Sequence, residues 1–344
     1  MMGIPRIAIT MGDPAGIGPE IIVKVLSLME TYDICQPLVV GSKEIIEDAV
    51  RITHRALKTN AVKSPEEGNY RYGVIDLLDL ANIKIKDVEY GKVSAQCGKA
   101  AGEVIAKAIE LAKAGEVDAV VTAPIHKESF KLGGWGEKYV GHTEMFADLT
   151  NTKKYTMMLA HGDFKVVHVS THVPLAEAVK LVKKDRILEV IKIAHDACLT
   201  LGIKKPKIAV AGLNPHAGDG GVLGREEIDE IIPAIKEAQL LGINADGPVP
   251  ADTVFSKAVG GWYDIVVTMY HDQGHIPMKT LGFVWDESRK DWKEVSGINA
   301  TLGLPIIRVS VDHGTAFGKA GKGTARPDSL IDAIKLAVRL VGSR

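Results

Sequence analysis

The chain is short of the residues that mark several protein classes. It has three cysteines in 344 residues, Cys35, Cys97 and Cys198, which are odd in number, far apart and in no C-x-x-C pair. A disulfide framework is therefore not expected, and a reduced, cytoplasmic protein is the economical reading. The formal net charge is −1, so no basic field suggests nucleic acid and no polybasic patch suggests a membrane surface. No stretch approaches the roughly 18 apolar residues of a transmembrane helix. The first apolar run, Ile7-Ala8-Ile9, is too short for a signal-peptide core and reads as a strand. Aromatics are few, and there is no internal repeat, low-complexity tract or obvious linker. Three chemical signatures are missing as well: a G-x-G-x-x-G spacing, a Walker lysine and an H-E-x-x-H helix.

Glycine is abundant, with 35 residues clustered in loops, which favours close backbone approach to a ligand. Strands are expected over 4–10, 37–40, 72–77, 117–122, 155–160, 164–170, 207–211, 264–268 and 305–311. Helices are expected over 19–29, 42–51, 94–114, 184–201, 224–241 and 328–341. Residues 54–70 read as irregular, 247–253 as a loop entering a helix, and 269–279 as a polar strand-to-helix loop. Thr143 reads as the N-cap of the helix that follows it. Such regular alternation argues an α/β fold with a largely parallel sheet. His161-Gly162-Asp163, between two apolar runs, is a hairpin signal and points to a second, different domain. At this length two α/β domains are expected, interleaved in sequence: about 1–140 plus 315–344, and about 141–314.

In open α/β sheets, ligands sit beyond the carboxyl ends of the strands. The loop Gly12-Asp13-Pro14-Ala15-Gly16-Ile17-Gly18 falls there, between a strand and a helix, which is an anion-cradling arrangement. Five histidines also stand at or near strand ends, His142, His172, His216, His271 and His313, among Gly, Pro, Asp, Asn and Thr. One such histidine usually caps a turn. Five together point to a divalent metal, because neutral imidazole suits zinc, cobalt, nickel or iron and three protein ligands leave positions for substrate. Asp252, Asp272 and Asp312 are candidate ligands or partners that fix an imidazole tautomer. Lys279 and Arg308 are candidate anion holders, and Lys279 is alternatively a general acid–base. From the residues alone the reading ends at a metal-dependent enzyme acting on a small anion. A metallohydrolase and a metal-assisted dehydrogenase both fit, and a non-catalytic metabolite-binding protein is a third alternative.

Eight motifs, in order and nearly end to end, resemble the PdxA family. They are Met11–Glu20, Thr122–Lys127, Gly141–Glu144, His172–Leu175, Gly212–Gly218, Pro250–Thr253, Tyr270–Gly274, and Gly303-Leu304-Pro305 with Arg308 and Ser310–Thr315. The resemblance implies a fold like the isocitrate and isopropylmalate dehydrogenases, with two interleaved domains and the active site in the cleft between them. It implies oxidation by NAD at C3 of a 4-phosphorylated four-carbon 3-hydroxy acid, followed by loss of carbon dioxide. It also implies one divalent metal (Zn, Mg, Co, Mn or Ni) and a homodimer with shared sites. By matching positions, His172, His216 and His271 are the implied metal ligands, with His271 donated across the dimer interface. His142, Thr143, Lys279, Asn299 and Arg308 are implied substrate contacts, and Gly303, Asp312, His313, Gly314 and Thr315 cofactor contacts. Asp252 or Lys279 is the implied proton relay. Two branches compete: one takes 4-phosphooxy-L-threonine in vitamin B6 synthesis, the other 4-phospho-D-threonate or 4-phospho-D-erythronate. Gly274-His275-Ile276-Pro277-Met278-Lys279 resembles the second. A segment at 283–296 departs from both branches as an insertion, and reads as a surface hairpin or partial lid.

Overall fold

A computed structural model describes residues 3–288, 290–295 and 297–342. The chain forms two compact α/β units, one from the residues up to Lys153 with Leu304–Gly342, the other from Lys154–Gly303. The boundaries expected near 140 and 314 fall instead at 153 and 303. Helix His142–Leu149 lies with helix Ala95–Lys113, and strand Ile307–Val311 pairs with Ala119–Thr122, so both belong to the first unit.

In the first unit six strands run parallel in the order Lys58–Val62, Val74–Asp79, Gln36–Gly41, Arg6–Thr10, Ala119–Thr122 and Ile307–Val311. The central strands are unbroken apolar runs rather than alternating ones, and Ile7, Ala8, Ile9, Val39, Val120 and Val121 are fully buried. That is the pattern of a parallel sheet covered on both faces. Lys58–Val62 was read as irregular because, as an edge strand, it buries only Val62. Helix Ala95–Lys113 starts at Ser94, whose hydroxyl accepts from Cys97 N at 3.3 Å. It ends before Gly115, at φ 72°. All three cysteines are free and buried.

The second unit has the order Ile298–Leu302, Thr156–His161, Phe164–His168, Ile265–Thr268, Ile208–Ala211 and Ala245–Val249. The first two pairings are antiparallel and the rest parallel, so the expected hairpin at 161–163 is present. Strand Ala245–Val249 runs into the loop expected at 247–253, because Gly247-Pro248 lies within the strand. As the edge strand it tolerates a residue without an N–H. Within the insertion expected at 283–296, strand Phe283–Asp286 pairs antiparallel with Asp291–Val295; its residues 289 and 296 lie outside the described residues.

The consequential difference is at 269–279. The expected loop is a helix, His271–Gly282, with Gly274 and Pro277 inside it. Gly274, Met278 and Gly282 are its buried stripe, and Met278 joins a core of Leu159, Phe164, Val166, Ala209, Val254 and Val266. His271, His275 and Lys279 are also four residues apart and share the neighbouring stripe. Gln273 anchors the helix start: its Oε1 accepts from Met269 N and its Nε2 donates to Gly212 O, both at 2.7 Å.

One close packing in the first unit is directly testable. A Cβ on Gly98 would meet Ser129 O at 1.7 Å. Gly98→Ala should therefore destabilise the protein by about 1–3 kcal/mol, as overpacking does. An unchanged urea midpoint would show that helix Ala95–Lys113 has slack against helix Lys127–Leu132, which carries Ser129.

Candidate active site

The first unit gathers Arg308, Thr122, His142, Glu144 and Phe146. Arg308 sits in a buried strand and is 3% exposed. Its Nη2 donates to Thr122 Oγ1 at 3.0 Å, and its guanidinium carbon lies 5.6 Å from the Phe146 ring centre. Burial pushes its pKa down to about 10, while the Glu144 carboxylate opposes that, so it stays cationic at neutral pH. His142 is held well below the ordinary imidazole range, first by burial and then by the Arg308 charge. Its Nε2 is enclosed although the residue keeps some exposed surface. The expected N-cap at Thr143 is not formed: the helix starts at His142 with Gly141 as N-cap and no side-chain cap. His142 and Thr143 both therefore lie in its first turn, and His142 is near Arg308. A buried cation beside a helix start is a place for a carboxylate or phosphate.

The glycine-rich loop lies in the same unit. Ile17 N donates to Thr315 O at 3.1 Å, and a Cβ on Gly16 would meet Thr315 Cβ at 3.0 Å. The loop is thus packed on the Asp312–Thr315 segment. His313 bonds through Nδ1 to Gly314 O at 2.9 Å. Gly303, the other expected cofactor contact, closes the second unit at φ 89°.

The second unit brings His172 and His271 together. Their ring centres are 5.6 Å apart, and both line a cavity of about 380 Å³ with Thr171, Tyr270 and Asp272. His271 Nδ1 lies 2.7 Å from Asp272 Oδ1. A carboxylate only accepts, so Nδ1 carries the proton and Nε2 offers its lone pair. That donor set suits a divalent transition metal. Asp252 lines a neighbouring groove of about 650 Å³, which shares Tyr270 and Asp272 with the first cavity. Lys279 Nζ stands 4.2 Å from the Phe283 ring centre, at the first residue of the inserted hairpin. Asn299 Nδ2 donates to Met157 Sδ at 2.8 Å.

His216 is not brought to this pair. It is exposed, at φ 52°, in the segment Pro215–Gly221, where His216, Ala217, Gly218, Asp219 and Gly220 all have positive φ. Among the described residues, no three His, Cys, Asp or Glu side chains converge on a metal position. Within one chain, His216 thus stands apart from the His172–His271 pair. The loop carrying His216 is held by Glu227, which the sequence reading missed. Its buried carboxylate accepts from Leu213 N at 2.8 Å, Asn214 N at 2.7 Å and Asn214 Nδ2 at 2.9 Å. A buried acid just after a Gly-Arg-Glu turn was the available signal.

His168, also unforeseen, completes a histidine cluster. It is fully buried, and its ring centre is 4.9 Å from that of His275 and 6.4 Å from that of His271.

With this geometry in place, the comparisons with known proteins are specific. The family model described as "Pyridoxal phosphate biosynthetic protein PdxA" matches residues 33–337. The chain is a dehydrogenase acting on a CH–OH group, and it belongs to the PdxA family. A relative from Oceanobacillus iheyensis, named "Putative D-threonate 4-phosphate dehydrogenase", is 46% identical over 99% of both chains. Two solved structures are of 4-hydroxythreonine-4-phosphate dehydrogenases. The one from Klebsiella pneumoniae is 39% identical, with a TM-score of 0.86 over 98% of both chains. The one from Burkholderia phymatum is 41% identical, with a TM-score of 0.83 over 98% of this chain and 99% of that one. Membership implies a nicotinamide cofactor and a metal ion. Among the described residues no helix is long and apolar enough to cross a membrane.

The buried histidine sets a pH dependence. Burial, and next the charge on His275, push the His168 pKa from 6.5 to about 3. Between those values the unfolded chain takes up a proton that the folded chain refuses, so stability falls as pH drops below 6.5 and is fully present above it. The urea midpoint should decline between pH 6.5 and 5. His168→Gln keeps a donor for Met157 O but cannot titrate, and should make that decline shallower. Equal slopes in the two proteins would show that His168 titrates alike folded and unfolded.

Proposed function

We propose that the chain oxidises 4-phospho-D-threonate or 4-phospho-D-erythronate with NAD, giving dihydroxyacetone phosphate and carbon dioxide. The observation that carries this reading is the His172–His271 pair, with Asp272 presetting the tautomer of His271. The names of relatives at 44–46% identity support the 2-hydroxy acids, as does the Gly274–Lys279 sequence. 4-Phosphooxy-L-threonine is the second reading, favoured by the names of the solved relatives.

His172 and His271 would hold the divalent metal, with His216 as the third ligand supplied by a second copy in a homodimer. That metal, when bound, supplies a Lewis acid for the C3 hydroxyl and the carboxylate. Arg308 with His142 and Thr143, in the first unit, and Lys279 with Asn299, in the second, would each offer a hold for an anionic group of the substrate. Gly303, in the second unit, and Asp312–Thr315, in the first, would each contribute to holding NAD. NAD, when bound, would supply the acceptor for the C3 hydride, and Asp252 or Lys279 would take the hydroxyl proton. The bond between C1 and C2 then breaks, carbon dioxide departs, and C2 takes up a proton. The homodimer is supported by the apolar groove along Phe255, Val259, Ile276 and Leu281, where Ile276 is 64% and Val259 52% exposed. Exposed apolar patches of this kind mark interaction surfaces.

The deciding assay compares NADH formation from the three substrates with NAD and a divalent metal. The two 2-hydroxy acids should give the higher kcat/KM. A preference for 4-phosphooxy-L-threonine would reverse the branch, and no NADH from any of them with metal bound would overturn the reading. Separately, His216→Ala should lose most bound metal while keeping its fold. Unchanged metal stoichiometry in that variant would remove His216 from the ligand set.

A further inference from the structure

His275 has no part in the function proposed above, yet the structure gives it a definite position. His271 and His275 are one turn apart on the same helix, and their rings lie face to face, centres 3.6 Å apart and planes 10° apart. The His275 ring is itself held. Its Nδ1 lies 2.9 Å from His271 O, and since a carbonyl only accepts, that nitrogen carries a proton. Behind it stands His168, fixed in turn by Nδ1 to Met157 O at 3.2 Å. Gly274 makes the room: a Cβ there would come within 2.6 Å of His168 Nε2. The three rings make a column from the buried strand Phe164–His168 out to His271.

The same stacking decides what His275 does not do. Imidazole binds a metal through a lone pair in the ring plane, at about 2.0–2.1 Å for zinc. An ion in the plane of one ring lies off the plane of the parallel ring by about the stacking distance. No single ion therefore takes a lone pair from both rings in this arrangement.

We propose that His275 is a positioning residue for His271. Asp272 fixes the proton of His271, and the His275 ring fixes the plane in which its Nε2 lone pair points. A substitution at 275 thus acts on metal affinity through the orientation of His271. This inference rests on the reading of His271 as a metal ligand.

The test measures Co2+ binding to the purified full-length protein, by equilibrium dialysis and by the visible absorption of the bound ion. Two variants separate the ring from the hydrogen bond. His275→Gln keeps a donor for His271 O and loses the stack; His275→Phe keeps the stack and loses the donor. Loss of a partner that orients a metal ligand costs about 10–100-fold in metal affinity. His275→Gln should accordingly bind Co2+ about 10-fold more weakly with a shifted absorption band, and His275→Phe should stay near the wild type. If His275→Gln does not fold, as judged by near-ultraviolet circular dichroism, His275→Leu takes its place. Wild-type affinity and spectrum in the variant lacking the ring would overturn the inference alone, and so would equal weakening in His275→Phe. A wild-type protein that binds no Co2+ would instead overturn the metal reading beneath it.

Discussion

The second unit is organised by one constraint, the helical period at 271–282. A residue four positions on returns to the same face, so two stripes run side by side along this helix. One, Gly274-Met278-Gly282, is buried, and Met278 is locked into the core. The other is His271-His275-Lys279. Because the first stripe cannot rotate without pulling Met278 out of the core, the second cannot rotate either. At about 1.5 Å rise per residue, its members stand ~6 Å apart, which is a span suited to a small substrate. Glycine at 274 serves this geometry by making room for His168.

The first unit solves a different problem. Arg308 is placed on a strand and buried, and a buried guanidinium is costly unless charge or hydrogen bonds offset it. Glu144 and Thr122 offset part of the cost. A bound phosphate or carboxylate would offset more, which makes the cost of burial a preference for an anionic ligand. His142 beside it is pushed toward its neutral form, so that it adds a hydrogen-bonding group without a second like charge.

Much of this was legible in the sequence, for physical reasons that differ by element. The parallel strands of the first unit could be read because burial on both faces leaves unbroken apolar runs. The edge strands Lys58–Val62 and Ala245–Val249 could not, since an edge strand needs neither a continuous apolar face nor every N–H. The His271–Gly282 helix was hidden by Gly274 and Pro277, two residues disfavoured in helix interiors. Tertiary packing overrode that local preference, through Met278 in the core and Gln273 clamped between Met269 and Gly212. The site histidines were visible as residues, but their grouping was not. Pairing His172 with His271, and leaving His216 apart, depends on which strands adjoin. That order is set by long-range pairing, which local sequence does not carry.

The polar residues that sequence reading overlooked share a property. Glu227 and Gln273 are buried and are spent on backbone groups rather than on a ligand. A buried polar group without partners costs more than its hydrogen bonds contribute, so each is tolerable only where the backbone already presents a matching donor or acceptor. Glu227 finds its donors in the loop that carries His216. Gln273 finds its partners at the start of the helix that carries His271. The segments that carry His216 and His271 are therefore positioned by buried side chains bonded to the backbone. A substitution at either side chain should disturb chemistry it never touches, and the proposed role of His275 extends that expectation to a half-buried ring on the same stripe as His271.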